Sequence, residues 1–334
     1  MSVKIKICSV FSGIGGLDLG FIANGNFLIR RAYDNSESAI QTYRDNIGHH
    51  IEKLDLRHHL PEKRDYDLVI GGPPCTQYSM GGKQLGLDPN HEGYLTLRFI
   101  EIIKHLQPKM FVFENVPGLV MGKMMPIFDH LLNEFKAAGY RTFPSPSTVG
   151  APTIPITLDA SNYGVPQARK RVFIIGCRNN CTKVNLIEPE PLNAIKQTLW
   201  NAIGHYPDPY DAESDRPSDH DERSLGRYQP GFNSRLQAYH RKWQAHRPSR
   251  TIHSHLISTE VHPSGTRRFT LREAATLQSF PESYRFQGSL AERFKNVANA
   301  VPPLLARAVA ESVHDYYQNV WAITPQSKPL LCTP

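Results

Sequence analysis

The stretch Val69-Ile70-Gly71-Gly72-Pro73-Pro74-Cys75-Thr76-Gln77-Tyr78-Ser79 runs from an apolar segment through a diproline turn into a cysteine. A thiol in that setting is a candidate nucleophile. Leu68, Val69 and Ile70 read as a buried parallel strand, Gly71 and Gly72 admit another group close to the backbone, and each proline fixes its own φ and lacks an N–H. A lone cysteine is more often a small buried hydrophobe. The case for Cys75 as a nucleophile therefore rests on the groups that accompany it.

A carboxylate and two guanidinium groups come first. Met110-Phe111-Val112-Phe113 is an apolar strand closed by Glu114-Asn115-Val116-Pro117, which puts Glu114 at a strand's C-terminal end, the usual site edge of an open α/β sheet. Desolvation there would raise its pKa and suit it to give a proton. Gln167-Ala168-Arg169-Lys170-Arg171 precedes the strand Val172-Phe173-Ile174-Ile175, and arginines at period two point to one side of an extended segment. They would hold a base or a phosphate; a solvated basic edge is the plainer reading. At the other end of the set, the strand-like Lys4–Phe11 leads into Ser12-Gly13-Ile14-Gly15-Gly16-Leu17-Asp18-Leu19-Gly20-Phe21, a glycine turn opening a helix. Such a turn seats a nucleotide-like ligand against bare backbone. Its spacing is neither G-x-G-x-x-G nor a phosphate loop, so a cofactor without phosphates fits best. Asp34 follows where the second strand should end, the position that holds ribose hydroxyls in doubly wound folds.

The order of these blocks, followed by Arg272-Glu273-Ala274-Ala275, Gln278-x-Phe280-Pro281 and Asn299-Ala300-Val301-Pro302-Pro303, closely resembles the DNA (cytosine-5)-methyltransferase family of bacterial restriction-modification systems. The resemblance spans about Val3 to Val313, with only the middle unmatched. It departs from the family pattern at Thr76, Asn35, Asn296 and Ala298, none of which removes a catalytic group. The resemblance implies that Cys75 adds to carbon 6 of cytosine, that Glu114 serves ring nitrogen 3, and that Arg171, with Arg169 in support, holds the carbonyl oxygen. It implies S-adenosyl-L-methionine as the cofactor, contacted by Phe11, Gly13, Ile14 and Gly16, with Asp34 on the ribose and Asp55 on the adenine. Gly72, Pro74, Leu95, Asn299 and Val301 complete that set. The implied partner is double-stranded DNA, whose target base must be flipped out to be reached. The glycine-rich 80–93 reads as a loop closing over it. The resemblance also implies a monomer and allows a separately encoded restriction endonuclease as cognate partner. Transfer RNA is the nearer alternative substrate, because a branch of the family with these motifs acts on it. A catalytically silent relative is disfavoured by the presence of Cys75, Glu114 and Arg171, and a thiol hydrolase has no use for the glycine turn.

Positioning these residues needs a scaffold, and the chain of 334 residues is long enough for about two domains. Strand and helix patterns alternate through residues 1–176, which predicts an α/β, doubly wound, Rossmann-like sheet for catalysis and cofactor. Residues 177–294 break into prolines, charges and short apolar pieces, read as a smaller, irregular target-recognition domain. In 295–323 apolar residues recur at helical spacing, a segment expected to return to the catalytic domain; 324–334 reads as a frayed tail. The net charge of +7 is modest. Its distribution is not: residues 223–268 hold nine Lys and Arg against Glu260 alone, with Tyr228, Phe232, Tyr239 and Trp243 among them, as suits a phosphate-contacting face. The five cysteines have neither zinc nor disulfide spacing, so no metal and a reducing compartment are expected. Lacking an evident signal peptide or membrane-length apolar run, the protein is expected in the cytoplasm.

Overall fold

The computed structural model describes residues 4–74, 93–121, 124–143, 156–178, 188–192, 196–206, 245–253, 262 and 269–322. Strand β1 (Ile5–Val10) leads into helix α1 (Gly16–Asn24), then β2 (Phe27–Asp34), α2 (Glu37–Asn46), β3 (Ile51–Lys53) and β4 (Leu68–Gly71). Next come α3 (Gly93–Leu106), β5 (Met110–Asn115), α4 (Met125–Ala137), β6 (Tyr140–Thr142), β7 (Ile156–Asp159), β8 (Lys170–Arg178) and α5 (Leu199–Ile203). The C-terminal part adds α6 (Leu271–Leu277), α7 (Leu290–Asn299) and α8 (Pro303–Tyr317).

The strands form one sheet in the order β3-β2-β1-β4-β5-β8-β6, with β7 also pairing β8. The first five are mutually parallel, whereas β6, β7 and β8 are joined by antiparallel ladders. Strand polarity thus reverses at β8, within the doubly wound frame that the alternating pattern predicted. The central strands are buried on both faces, which explains their continuous apolar runs. Side-chain alternation sorts them. Leu68, Ile70, Met110 and Val112 join the core under α1, α2 and α8, while Val69, Phe111 and Phe113 join the core under α3 and α4. A third cluster gathers Leu199, Ile203, Ile252, Phe269 and the 271–298 region around Ile14 and Ala39. In this region Thr270 and Glu273 form a reciprocal capping box that starts α6.

Helix α8 begins at Pro303, a residue suited to a first turn, and lies against α1. Gly20 makes that approach close. Beyond the helix body, the Tyr317 hydroxyl and the Lys109 ammonium both donate to Asp67 Oδ1, at 3.0 and 2.7 Å, tying the end of α8 to the sheet. Among the described residues no helix is long and apolar enough to cross a membrane. The basic segment 223–268 lies outside the described residues except for 245–253 and His262, as do the 80–92 part of the glycine-rich loop and the tail from residue 323.

A Cβ on residue 20 would sit 2.4 Å from Ala306 Cβ and 2.5 Å from the Arg307 backbone nitrogen, neither of which can swing aside. Gly20→Val should therefore force α1 and α8 apart and cost about 1–3 kcal/mol, read as a lowered midpoint in thermal or urea denaturation. An unchanged midpoint would mean that the two helices do not pack as described.

Candidate active site

One cavity of about 1090 Å³ opens at the C-terminal ends of β1, β2, β4 and β5. The chain leaves β1 toward β2 on one side and returns to β4 on the other. This is the topological switch point at which open α/β sheets form a crevice. Every described residue that the sequence reading assigned to catalysis or to the cofactor lines it. The nucleophile candidate Cys75 lies outside the described residues; Pro73 and Pro74, immediately before it, line the cavity.

At one end sits the charged set. Glu114, near the end of β5, is buried and pairs with Arg171, Nε to Oε1 at 3.0 Å. The antiparallel register makes this possible. Asn115 lies opposite Val172, so the residue preceding Val172 falls beside the C-terminal end of β5. Burial lifts the Glu114 carboxyl above the ordinary range, with the charges of Arg171 and then Arg169 pulling it back. Gly72 clears the space for it, since a Cβ there would lie 2.5 Å from Glu114 Oε2. Asn115 braces the same corner, donating from Nδ2 to the Pro73 carbonyl at 3.2 Å and accepting the Val116 N–H at 2.8 Å.

Arg169 is 1% exposed, and it holds backbone. Its guanidinium donates to the carbonyls of Ala298 at 2.8 Å, Ala300 at 3.0 Å and Ile252 at 3.4 Å, while its buried Nε has no hydrogen-bond partner. Gln278 Nε2 adds a bond to the Val297 carbonyl at 2.8 Å, and Gln167 donates to Gln278 Oε1 and accepts the Ile252 N–H. These three side chains fix the turn that places Asn299 and Val301 in the cavity wall.

The other end is the glycine turn. Phe11 is left-handed at φ 54°, a strained state for a residue with a Cβ, and Gly13 follows at φ 53°. Gly16 is required by contact, because a Cβ there would meet the Val301 carbonyl oxygen at 2.3 Å. Asp34 accepts the Gly13 N–H at 2.8 Å and the Ser36 N–H at 2.9 Å. Burial raises its pKa, opposed by the N–H groups of Ser36, Gly13 and Asn35. Asp55 is gripped by Arg57 through both carboxylate oxygens, which holds its pKa down to about 2. Ile14 and Leu95 supply apolar wall.

Other functional candidates were missed in the sequence. Asp18, in the first turn of α1, is fully buried at the cavity wall, accepting the Ser9 hydroxyl at 2.6 Å and the Tyr43 hydroxyl at 2.7 Å. Burial pushes its pKa up to about 6. The available signal was a carboxylate two residues into a helix that opens on a glycine turn. For Gln167 and Gln278 the only signal was membership of motifs whose other residues have clearer chemistry.

A nucleotide-like cofactor without phosphates fits this end. The turn offers exposed backbone at Gly13, where a Cβ would meet nothing within 4 Å, together with a carboxylate and an apolar wall. The comparisons with known proteins show the family. The sequence profile of the C-5 cytosine-specific DNA methylases matches residues 5–315. The type II methyltransferase M.MthTI of Methanothermobacter thermautotrophicus is 33% identical over 93% of this chain and 97% of its own. M.FnuDI of Fusobacterium nucleatum is 31% identical over 93% and 94%. Among solved structures, a prophage-encoded protein from E. coli described as a DNA modification methyltransferase superposes with a TM-score of 0.70 at 22% identity, over 94% of this chain and 100% of its own. A DNMT2 variant of Spodoptera frugiperda does so at 0.66 and 17%, over 93% and 100%.

The ion pair yields a titration test. Since Arg171 opposes the upward shift of Glu114, Arg171→Gln should move that carboxyl's titration midpoint further up, followed by carbon-13 NMR of labelled glutamate. A midpoint that stays put or falls would show that the pair does not govern Glu114.

Proposed function

The chain belongs to the C-5 cytosine-specific DNA methylases, and from that premise we propose how its cavity carries out the reaction. The protein is a DNA (cytosine-5) methyltransferase of the type II restriction-modification class. The observation that carries the detailed reading is the meeting, in one cavity, of the Glu114–Arg171 pair at one end and the Gly13–Gly16 turn with Asp34 at the other.

In this reading a cytosine flipped out of double-stranded DNA enters beside Glu114, since a paired base cannot be reached from its ring face. The Cys75 thiolate forms a bond to carbon 6. Electron density moves toward ring nitrogen 3, where Glu114, its pKa lifted by burial, shares a proton, and toward the carbonyl oxygen, which Arg171 holds. Carbon 5 is thereby made nucleophilic. S-adenosyl-L-methionine, when bound, supplies the methyl group for carbon 5. Phe11, Gly13, Ile14 and Gly16 would hold it against bare backbone, Asp34 would take the ribose hydroxyls and Asp55 the adenine. Gly72, Pro74, Leu95, Asn299 and Val301 would close the walls. A base or water then takes the carbon 5 proton, and the electron pair it leaves restores the 5,6 double bond as the bond to Cys75 breaks and the thiolate departs. Arg169, in contact with main chain, acts by holding the Asn299–Val301 turn in place.

The basic residues of 223–268 would contact the phosphates on either side of the target, and 177–294 would select the sequence. The methyltransferase would work as a monomer in the cytoplasm, alongside a separately encoded endonuclease. Bisulfite sequencing of DNA from cells expressing the chain tests the assignment. Methylated cytosines should occur at the same position of one short recurring sequence, and their absence would overturn it.

Cys75→Ala should reduce methylation to background while leaving S-adenosyl-L-methionine affinity nearly intact, and only the unaltered chain should trap DNA containing 5-fluorocytosine as a covalent adduct. Near-normal turnover by Cys75→Ala would end the nucleophile assignment. Asp34→Ala removes charge-assisted hydrogen bonds worth about 1–3 kcal/mol. Cofactor affinity should fall by about one to two decades, measured by calorimetry, with DNA affinity unchanged. Undiminished cofactor binding would exclude a ribose role for Asp34.

A further inference from the structure

Asp18 is a fully buried ionisable group at the cavity wall for which the reaction above has no use. It lies in the first turn of α1, directly after the glycine turn, with no exposed surface. Its partners are neutral: the hydroxyl of Ser9 on Oδ1 and that of Tyr43 on Oδ2. Among the described residues no lysine or arginine pairs with it. Ser9 Oγ in turn accepts the Ser12 hydroxyl at 3.0 Å, and Ser9, Ser12 and Asp18 all line the cavity. On the far side the Tyr43 hydroxyl lies 3.1 Å from His50 Nε2, which is half-buried. A buried carboxylate without a counter-cation is costly. Here it stands beside the proposed seat of a ligand that carries a positive charge.

We infer that Asp18 makes this cavity favour a cationic cofactor over its neutral by-product. The inference rests on the reading of the cavity as the S-adenosyl-L-methionine site. The methyl donor carries a sulfonium. Once the methyl group has left, S-adenosyl-L-homocysteine carries a neutral thioether and is otherwise the same molecule. An uncompensated carboxylate in a desolvated wall attracts the first and is indifferent to the charge state of the second. Discrimination of this kind favours exchange of spent cofactor for fresh.

The ratio of the two affinities isolates the effect, because both ligands share the same adenosine, amine and carboxylate. With a pKa of about 6, Asp18 is mostly ionised at neutral pH and protonated at pH 5. The other ionisable groups around it are separable. Asp34, at the end of β2, is also raised by burial and is coupled to Asp18 by charge, but in the proposed site it faces the ribose that both sulfur ligands share, so it cancels from their ratio; Cys8, on β1, and Tyr43 and Tyr284 all have raised pKa values, which keeps them protonated across this range; His50 is shifted down by burial and by Arg31. From α8, Arg307 and Glu311 pair with each other at the surface, and His314 packs on Phe27. Asp18→Asn leaves all of these in place.

The test is calorimetric binding of S-adenosyl-L-methionine, S-adenosyl-L-homocysteine and sinefungin, in which a carbon bearing an amine replaces the methylated sulfur, to the full chain between pH 5 and 8. For the unaltered protein the preference for the methyl donor over the homocysteine product should be about tenfold larger at pH 7.5 than at pH 5, and sinefungin should follow the methyl donor. Asp18→Asn should bind both sulfur ligands with a ratio that barely changes with pH. Tyr43→Phe takes one hydrogen bond from the carboxylate and should shift the transition to higher pH, which keeps the test decisive if Asp18→Asn fails to fold. A ratio that is flat with pH in the unaltered protein, or the same in Asp18→Asn, overturns the inference while leaving the cofactor site standing. Failure of all three ligands to bind would instead remove the cofactor reading, and this inference with it.

Discussion

The charged end of the cavity depends on one constraint: a carboxylate must be kept buried at the end of a parallel strand without being neutralised outright. Glu114 meets it through an ion pair with Arg171, almost as buried as itself, with the charge of Arg169 adding to the restraint. Desolvation lifts the carboxyl and the guanidinium restrains it. The balance keeps Glu114 able to give or share a proton, which a fully solvated or multiply paired glutamate would not be. Gly72 belongs to the same constraint, since any side chain there would occupy the carboxyl's place.

Strand polarity is what brings the pair together. Had β8 run parallel to β5, its first residues would lie at the opposite edge of the sheet, far from Glu114. The antiparallel ladder instead carries Arg171 and Arg169 to the edge where β1, β2 and β4 present the glycine turn, Asp34 and Gly72. The break in an otherwise parallel sheet is thus a requirement of the site.

Closure of the cavity relies on backbone contacts over long sequence distances. Arg169 and Gln278 reach the carbonyls of residues 297–300, Gln167 braces Gln278, and the carbonyl of the next residue, Val301, packs against Gly16. Helix α8 then lies on α1, so the same helix that opens on the glycine turn is held from behind. The N-terminal and C-terminal motifs are in this way parts of one wall, and a shift in either displaces the other.

Much of this was written in the residue order. Apolar runs ending in Gly-Gly-Pro-Pro, in Glu-Asn and in a glycine turn specify strands whose C-terminal ends carry polar groups, because local patterning obeys strand and helix periods that need no tertiary information. The same runs placed Glu114, Asp34 and Gly16 at a common edge. The employment of individual polar groups was decided elsewhere. Arg169 and Arg171 look equivalent at period two, yet one holds main-chain carbonyls and the other a carboxylate, a difference set by which partners the folded chain brings within hydrogen-bond reach. Asp18 reads as an ordinary helix-start acid until α2 supplies Tyr43 and β1 supplies Ser9, and its perturbed charge exists only because both elements bury it. Spacing along a chain determines direction and local geometry. Desolvation and pairing depend on neighbours distant in sequence, and these only the tertiary structure assigns.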